Sequence, residues 1–470
     1  MKTISGLYTD HYQLSMAEGY FLAERKTDRV TFDYFFRRNP FGSGFTVFAG
    51  LQVLFDMIEE FRYDSDAIDF LHQRGFQDEF LDFLKNFNFQ GSIYAPREGE
   101  VVFPTEPILS VEGNIIEAQL LETLLLNTLN YQSLIATKAN RLRQSAGNRS
   151  VVEFGMRRAQ GWAALHGSRA AVAGGADSTS NVQSAYTYGL DSSGTQAHSW
   201  VQSFGDELTA FRTFAEKRPK NCVLLVDTYH TLNSGVPNAI TVAKEMQQRG
   251  EQLLGIRLDS GDLAYLSKKA RTMLDEAGLH KVKIVASNQL DEYLIKSLIQ
   301  QGAKIDIFGV GTNLITGRDD GALDGVYKLS AVNGKPTIKL SEDVAKLTLP
   351  GRKQVVRYYN GNDEFFADGV LLAEENSNGV KTIFHPEYPD KKSQVEGLKK
   401  EILTSKVFEC GKALVEKKNI QEISEYRSHR VSHLADEYKR FEYPHIYKVG
   451  LSDNLTQLRQ DLSSEIRGRQ

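Results

Sequence analysis

His198 follows a Gly-Thr turn, in Gly194-Thr195-Gln196-Ala197-His198-Ser199-Trp200, and leads into an apolar run. A histidine so placed can sit at a mouth of the fold and act as nucleophile, phosphate acceptor or general base. The alternative is a hydrogen-bonded structural histidine. The segment Arg257-Leu258-Asp259-Ser260-Gly261-Asp262 offers a cation and carboxylates at a strand end. That set suits pairing with a substrate carboxylate or phosphate, and holding Mg²⁺ through oxygen. A surface turn with an Arg–Asp pair and a helix N-cap at Asp262 is the plainer reading. Gly309-Val310-Gly311-Thr312-Asn313 would let backbone N–H groups close on an anion. Phe154 beside Arg157 and Arg158 puts a flat apolar face next to cations, which suits a flat anionic ring, although core packing is the usual fate of such a phenylalanine. Gly174-Gly175-Ala176-Asp177-Ser178-Thr179-Ser180-Asn181 reads equally as a ligand loop or a helix cap.

These groups stand where short apolar runs break off. VVEF precedes Gly155, VLLV precedes Asp227, LLGI precedes Arg257, KIVA precedes Ser287 and IDIFGV precedes Gly311. Such runs, bounded by turn residues, read as buried parallel strands. Segments of helical pattern, 237–249 and 263–277, lie between them. Alternating strands and helices bring the strand C-termini to one face, where barrels carry their chemistry. The flanks differ. Residues 9–20 predict a helix capped by Thr9 or Asp10, residues 30–36 a strand, 55–87 helices, 91–113 antiparallel strands and 115–145 a long helix. Residues 327–341 predict a hairpin around Asn333-Gly334, with strands at 355–359 and 364–374 returning to the N-terminal domain. Residues 395–447 read as a charged, helix-like tail.

Bulk properties narrow the partners. At 470 residues with a net charge of -4, the chain has room for two or three domains and no excess of positive charge for nucleic acid or an anionic membrane. Two cysteines, Cys222 and Cys410, exclude a disulfide framework and a cysteine-rich zinc site. No signal-peptide pattern or membrane-spanning apolar stretch stands out, so a cytoplasmic location is expected. There is no G-x-x-x-x-G-K-[ST] loop, no G-x-G-x-x-G fingerprint and no HExxH, which leaves P-loop, dinucleotide-fold and zinc-protease readings without support.

Taken with TDHYQLSMA, TFDYFFRRNPF and FAGLQ, the segments EFGMRRAQG, GGADSTSNV, GTQAHSWV, GIRLDSGDL, IVASNQLDE and FGVGTNLIT resemble the nicotinate phosphoribosyltransferases, in the family's order and over nearly the whole chain. The resemblance implies a type II phosphoribosyltransferase-like α/β fold. An irregular α/β barrel (131–325) would join an α/β sandwich domain built from residues 1–130 and from strands in 326–470, which end in a helical tail. It implies transfer of phosphoribosyl from phosphoribosyl pyrophosphate to nicotinate, coupled to ATP hydrolysis with Mg²⁺, in NAD salvage. His198 would be the phosphorylated histidine, Thr195 and Arg257 would contact nicotinate, and Phe154 and Tyr12 would sandwich its ring. By the same analogy Tyr12 comes from the second subunit of a homodimer. Gly309, Gly311 and Thr312 would hold the phosphoribosyl phosphate. Arg157, Asp177 and Asp259 would lie near ribose, ring or metal, and Arg37 and Arg38 would meet phosphates across the dimer. The rival readings are a nicotinamide phosphoribosyltransferase, whose substrate lacks the carboxylate, and a catalytically inactive ligand-sensing relative. The phosphoribosyltransferases of the other type are set aside, because VLLVDTYHTLNSG lacks their second acid and their Thr-Thr-Gly turn.

Overall fold

The computed structural model describes residues 4–340, 348–388 and 390–468. It divides into two compact units: Met1–Leu134 with Ala322–Lys418 and Glu425–Gln470, and Ile135–Gly321 with Asn419–Ser424. Among the described residues no helix is long and apolar enough to cross a membrane.

The first unit is built on two large sheets, with a two-stranded one pairing Thr46–Val47 with Val101–Val102. In one, the order is Lys335–Pro336, Gly325–Val332, Arg29–Phe36, Leu109–Asn114, Ser92–Ala95, Ser405–Glu409 and Lys412–Ala413, every neighbour antiparallel. Strands from the chain's beginning thus pair with strands from after residue 320, as the fold class requires. Phe32 stacks on Tyr327 with ring centroids 4.6 Å apart, a diagonal cross-strand contact. The expected hairpin turns at Asn333 and Gly334, both with positive φ, while its last residue, Ser341, lies outside the described residues. The second sheet runs Lys392–Gln394, Thr382–Phe384, Val449–Leu451, Phe365–Leu372, Lys353–Tyr359 and Lys400–Ile402.

Alternation along Arg29–Phe36 suggests one wet face, yet both faces are buried. The polar face is covered by the second sheet, and the Asp33 carboxylate is satisfied by Lys353 Nζ at 2.8 Å and Ser110 Oγ at 2.6 Å. A buried charge without such partners would be costly. Deeper still, Arg357 pairs with Glu100 and Asp368, each at 2.6 Å.

The tail departs from its helix-like reading. Helix occupies Ile420–Ser432, but Lys400–Ile402, Ser405–Glu409 and Lys412–Ala413 are strands. Lys400–Ile402 and Lys412–Ala413 are edge strands of the two sheets, where lysine and glutamate are ordinary, and within Ser405–Glu409 only Val407 and Phe408 are buried.

The second unit holds six parallel strands, in the order Ser178–Thr179, Ser150–Glu153, Ile307–Val310, Lys283–Ser287, Gly255–Leu258 and Val223–Leu225. Helices Trp162–Ala173, Val236–Gln248, Leu263–Glu276 and Glu292–Gln300 alternate with them. Where an irregular barrel is expected, the hydrogen-bonded ladder has two edges, Ser178–Thr179 and Val223–Leu225, and does not close between them among the described residues. Asp262 is a helix N-cap, accepting from Tyr265 N at 2.9 Å, and Asn181 caps Val182–Tyr188 through Ser184 N at 3.1 Å.

Candidate active site

Parallel register assembles the site. Arg257 lies opposite Leu225 on one side and Val285 on the other, and Ser287 lies opposite Gly309. Side chains two residues on share a face, so Asp227, Asp259, Ser287 and Gly309 form one row across the strand ends. Phe154 comes one layer higher, because Gly309 pairs with Val152.

Arg257 is the hub. Its Nε donates to Ser287 Oγ at 2.8 Å, one terminal nitrogen to Thr195 Oγ1 at 2.9 Å and the other to Asp259 Oδ1 at 2.8 Å. Its guanidinium carbon stands 5.6 Å from the centroid of the Phe154 ring. Ser287 Oγ also donates to Asp259 Oδ1, so the carboxylate holds the arginine and the serine that holds the arginine. A guanidinium carries five N–H groups. One on each terminal nitrogen has no described partner, which leaves donors of the kind that bind a carboxylate as a fork.

His198 opens the helix His198–Ser203. Nδ1 is 3.1 Å from Thr228 Oγ1, and Nε2 faces two carboxylates, Asp227 Oδ1 at 3.9 Å and Asp259 Oδ2 at 3.8 Å. Asp227 Oδ2 accepts from Asp259 N at 2.8 Å and Ser260 Oγ at 2.7 Å, whereas its Oδ1 is buried with no hydrogen-bond partner. Two carboxylates beside one imidazole nitrogen make a negative pocket with open oxygen ligands.

Phe154 is set from below and behind. A Cβ on Gly309 would lie 2.5 Å from the ring, so only glycine leaves room for it. Glu153, fully buried, anchors the turn: it accepts from Ser168 Oγ at 2.8 Å, Thr179 Oγ1 at 2.6 Å and the backbone N of Gly155. Gly311 caps the short helix Thr312–Ile315. Asn313 Nδ2 donates to Gln289 O at 3.0 Å and Leu290 O at 2.9 Å, tying that turn to the one after Ser287, where Asn288 and Gln289 both have positive φ.

The structure therefore brings Phe154, Thr195, His198, Arg257, Asp259 and Gly309 together, with Gly311 and Thr312 on the adjoining strand end. Arg157 and Arg158 follow Phe154 on an exposed turn, their guanidinium groups without a described hydrogen bond. Asp177 is not brought in. Its carboxylate accepts from Arg143 and from Val151 N at 2.8 Å, at the N-terminal end of the strands, where it serves the sheet. Tyr12, Arg37 and Arg38 belong to the other unit: Tyr12 is half exposed on helix His11–Leu22, and Arg38 pairs with Asp324 at 3.2 Å. Glu153, Asp227, Thr228, Ser287 and Asn313 carry the geometry without having been singled out as site residues. Asp227, Thr228 and Ser287 follow predicted strands and Asn313 closes the Gly309–Asn313 segment, which are the signals the sequence offers; Glu153 reads as an ordinary residue until packed.

Three family models match the chain. The nicotinate phosphoribosyltransferase N-terminal domain covers residues 7–130, the nicotinate phosphoribosyltransferase family 149–368 and its C-terminal domain 352–459. The chain is 45% identical to the nicotinate phosphoribosyltransferase of Bacillus subtilis over 98% of its own length and 96% of the relative's. Its fold resembles the crystal structure of human nicotinic acid phosphoribosyltransferase, with a TM-score of 0.86 and 30% identity over 97% of this chain and 99% of that one. It also resembles nicotinate-nucleotide pyrophosphorylase from Pyrococcus furiosus, with a TM-score of 0.72 and 26% identity over 91% and 95% of the two chains. On these matches, the chain belongs to the nicotinate phosphoribosyltransferase family.

Proposed function

We propose that this chain joins nicotinate to phosphoribosyl pyrophosphate, giving nicotinate mononucleotide and pyrophosphate, and couples turnover to ATP hydrolysis. The observation that carries the choice of nicotinate is the Arg257 fork, with two N–H groups left over beside the Phe154 ring. A carboxylate on a flat ring satisfies both groups, and a neutral amide leaves the cation unpaired. The pyridine nitrogen attacks C1 of the ribosyl donor, and the C1–O bond breaks with its electron pair leaving on pyrophosphate. The nucleophile needs no protein base. The site's task is to hold ring and donor in line and to stabilise departing negative charge. Gly309, Gly311 and Thr312 are assigned to the donor phosphate on the strength of their strand-end backbone.

Asp227 and Asp259 fit Mg²⁺ by donor type, and the unpartnered Asp227 Oδ1 supports this. Among the described residues no group of three or more His, Cys, Asp or Glu could hold a metal. Two carboxylates with phosphate oxygens and water are the usual Mg²⁺ set. The ion would neutralise phosphate charge. His198 is assigned as phosphate acceptor: Nε2 attacks the terminal phosphorus of ATP and ADP leaves. With Nδ1 engaged by Thr228, Nε2 is the nitrogen turned to the carboxylate pair. The second face of the nicotinate ring is assigned to Tyr12 of a second copy in a homodimer.

A paired turnover assay tests this reading. Mononucleotide is expected from nicotinate, boosted by ATP, with nicotinamide a poor substrate. Equal or better turnover of nicotinamide would overturn the role given to Arg257. Gly309→Ala is expected to lower kcat/KM for nicotinate about 10²-fold, the scale of a 1 Å misplacement of a positioning group. Phe154→Leu in the same chain should restore part of the loss, because it removes the overlap. Unchanged kinetics in Gly309→Ala would mean that the ring is no platform.

A further inference from the structure

His429 and His433 lie one turn apart at the end of helix Ile420–Ser432, well separated in sequence from every residue assigned above. Their Nε2 atoms face each other at 3.4 Å, with the ring planes at 76°. His433 is fixed on several sides. Its Nδ1 is 2.7 Å from the carbonyl oxygen of Asp363, its ring stacks on Phe365 and meets the edge of Tyr359, and its own carbonyl accepts from Phe365 N. A carbonyl only accepts, so Nδ1 carries a proton, and the tautomer this contact selects is the one whose Nε2 lone pair lies on the side of His429. That second-sphere arrangement, one ring nitrogen donating to an oxygen and the other free, is the one metal-ligating histidines adopt.

We propose that His429 and His433 form a two-histidine site for a late first-row divalent cation such as Zn²⁺, with water completing the coordination. At Zn–N distances of 2.0–2.1 Å, a tetrahedral angle separates two nitrogens by about 3.3–3.4 Å, so the Nε2 separation already matches that of two ligands of one ion. As a direct N–H···N hydrogen bond the same contact is long. No third protein ligand completes the set among the described residues, so the site would be an accessible, moderate-affinity one. Nearby cations do not oppose it strongly. Lys399 is paired with Asp363, and Arg430 with Glu100 and Glu401. The Asp363 carboxylate that pairs with Lys399 is also 4.0 Å from His433 Nδ1, so the net charge beside the pair stays close to zero. Bound metal would pin the helix end to the turn that joins Lys353–Tyr359 to Phe365–Leu372.

Calorimetric titration of ZnCl2 into the untagged, chelator-treated full chain tests the proposal. His429→Gln is the main variant because His429 is exposed, and His433→Gln, checked for its unfolding midpoint, is the second. Both are expected to bind one equivalent fewer than the wild type, or to bind that equivalent more than about tenfold more weakly. His198→Ala should retain it, which separates it from any zinc taken up by the carboxylate pocket. Millimolar Mg²⁺ should not displace it, since Mg²⁺ prefers oxygen ligands, and transferase turnover of His429→Gln should be unchanged. Zinc binding of the same stoichiometry and affinity in His429→Gln, or displacement by Mg²⁺, would overturn the assignment.

Discussion

Arg257→Gln is expected to lower kcat/KM for nicotinate by about 10³-fold, the upper range for losing one partner of a hydrogen-bonded charge pair that the bound substrate would bury. The physical reason is a double loss. The incoming carboxylate loses its bidentate partner, and Asp259 loses the guanidinium that now sits 2.8 Å from its Oδ1. A freed Asp259 then faces the substrate's negative charge. Most of the effect should fall on KM, because the carboxylate is remote from the bond being broken. Nicotinamide turnover should fall much less, so the ratio between the two substrates is the diagnostic reading. Arg257→Lys keeps a charge but not the fork, and should recover only part of the loss. An equal fall for both substrates would mark Arg257 as a scaffold holding Thr195, Ser287 and Asp259 rather than as a recognition group.

His198→Ala is expected to abolish ATP hydrolysis and the ATP-dependent part of turnover while leaving a basal, ATP-independent transfer. Removing a nucleophile outright removes its covalent route entirely. The ring platform and the Arg257 fork do not depend on His198, so a basal rate should survive, with the donor bound more weakly. The link to donor binding is electrostatic: a phosphorylated side chain carries close to two negative charges, enough to reorder neighbouring loops through arginines. ATP stimulation that survived in His198→Ala would remove the histidine from the coupling step. Acid-labile radiolabel from terminally labelled ATP, present in wild type and absent in the variant, is the direct readout.

Much of this architecture was legible in the order of residues. Five apolar runs ending in glycine or reactive side chains, with helical patterns between them, are local signals. Strand period and turn chemistry are set within a few neighbours, and the parallel strands follow those runs closely. The same locality misled where charge obscured pattern: the strands in 400–413 looked helical because only Val407 and Phe408 are buried there. It misled again at Asp177, which shares a segment with plausible ligand residues but lies at the other end of its strand.

The chain by itself thus determined the elements, their order and the family motifs carried on their ends. Tertiary structure alone decided the contacts that give those motifs a chemistry. Arg257 reaches Thr195 across 62 residues of chain and Ser287 across 30. Whether they meet depends on strand order and on a register in which a slip of one residue turns every side chain to the opposite face. Glu153 behind the Phe154 turn and Gly309 beneath its ring likewise acquire their roles only by packing. No short-range pattern encodes a separation of a few ångströms between residues so distant in sequence, because that separation is a property of the assembled sheet.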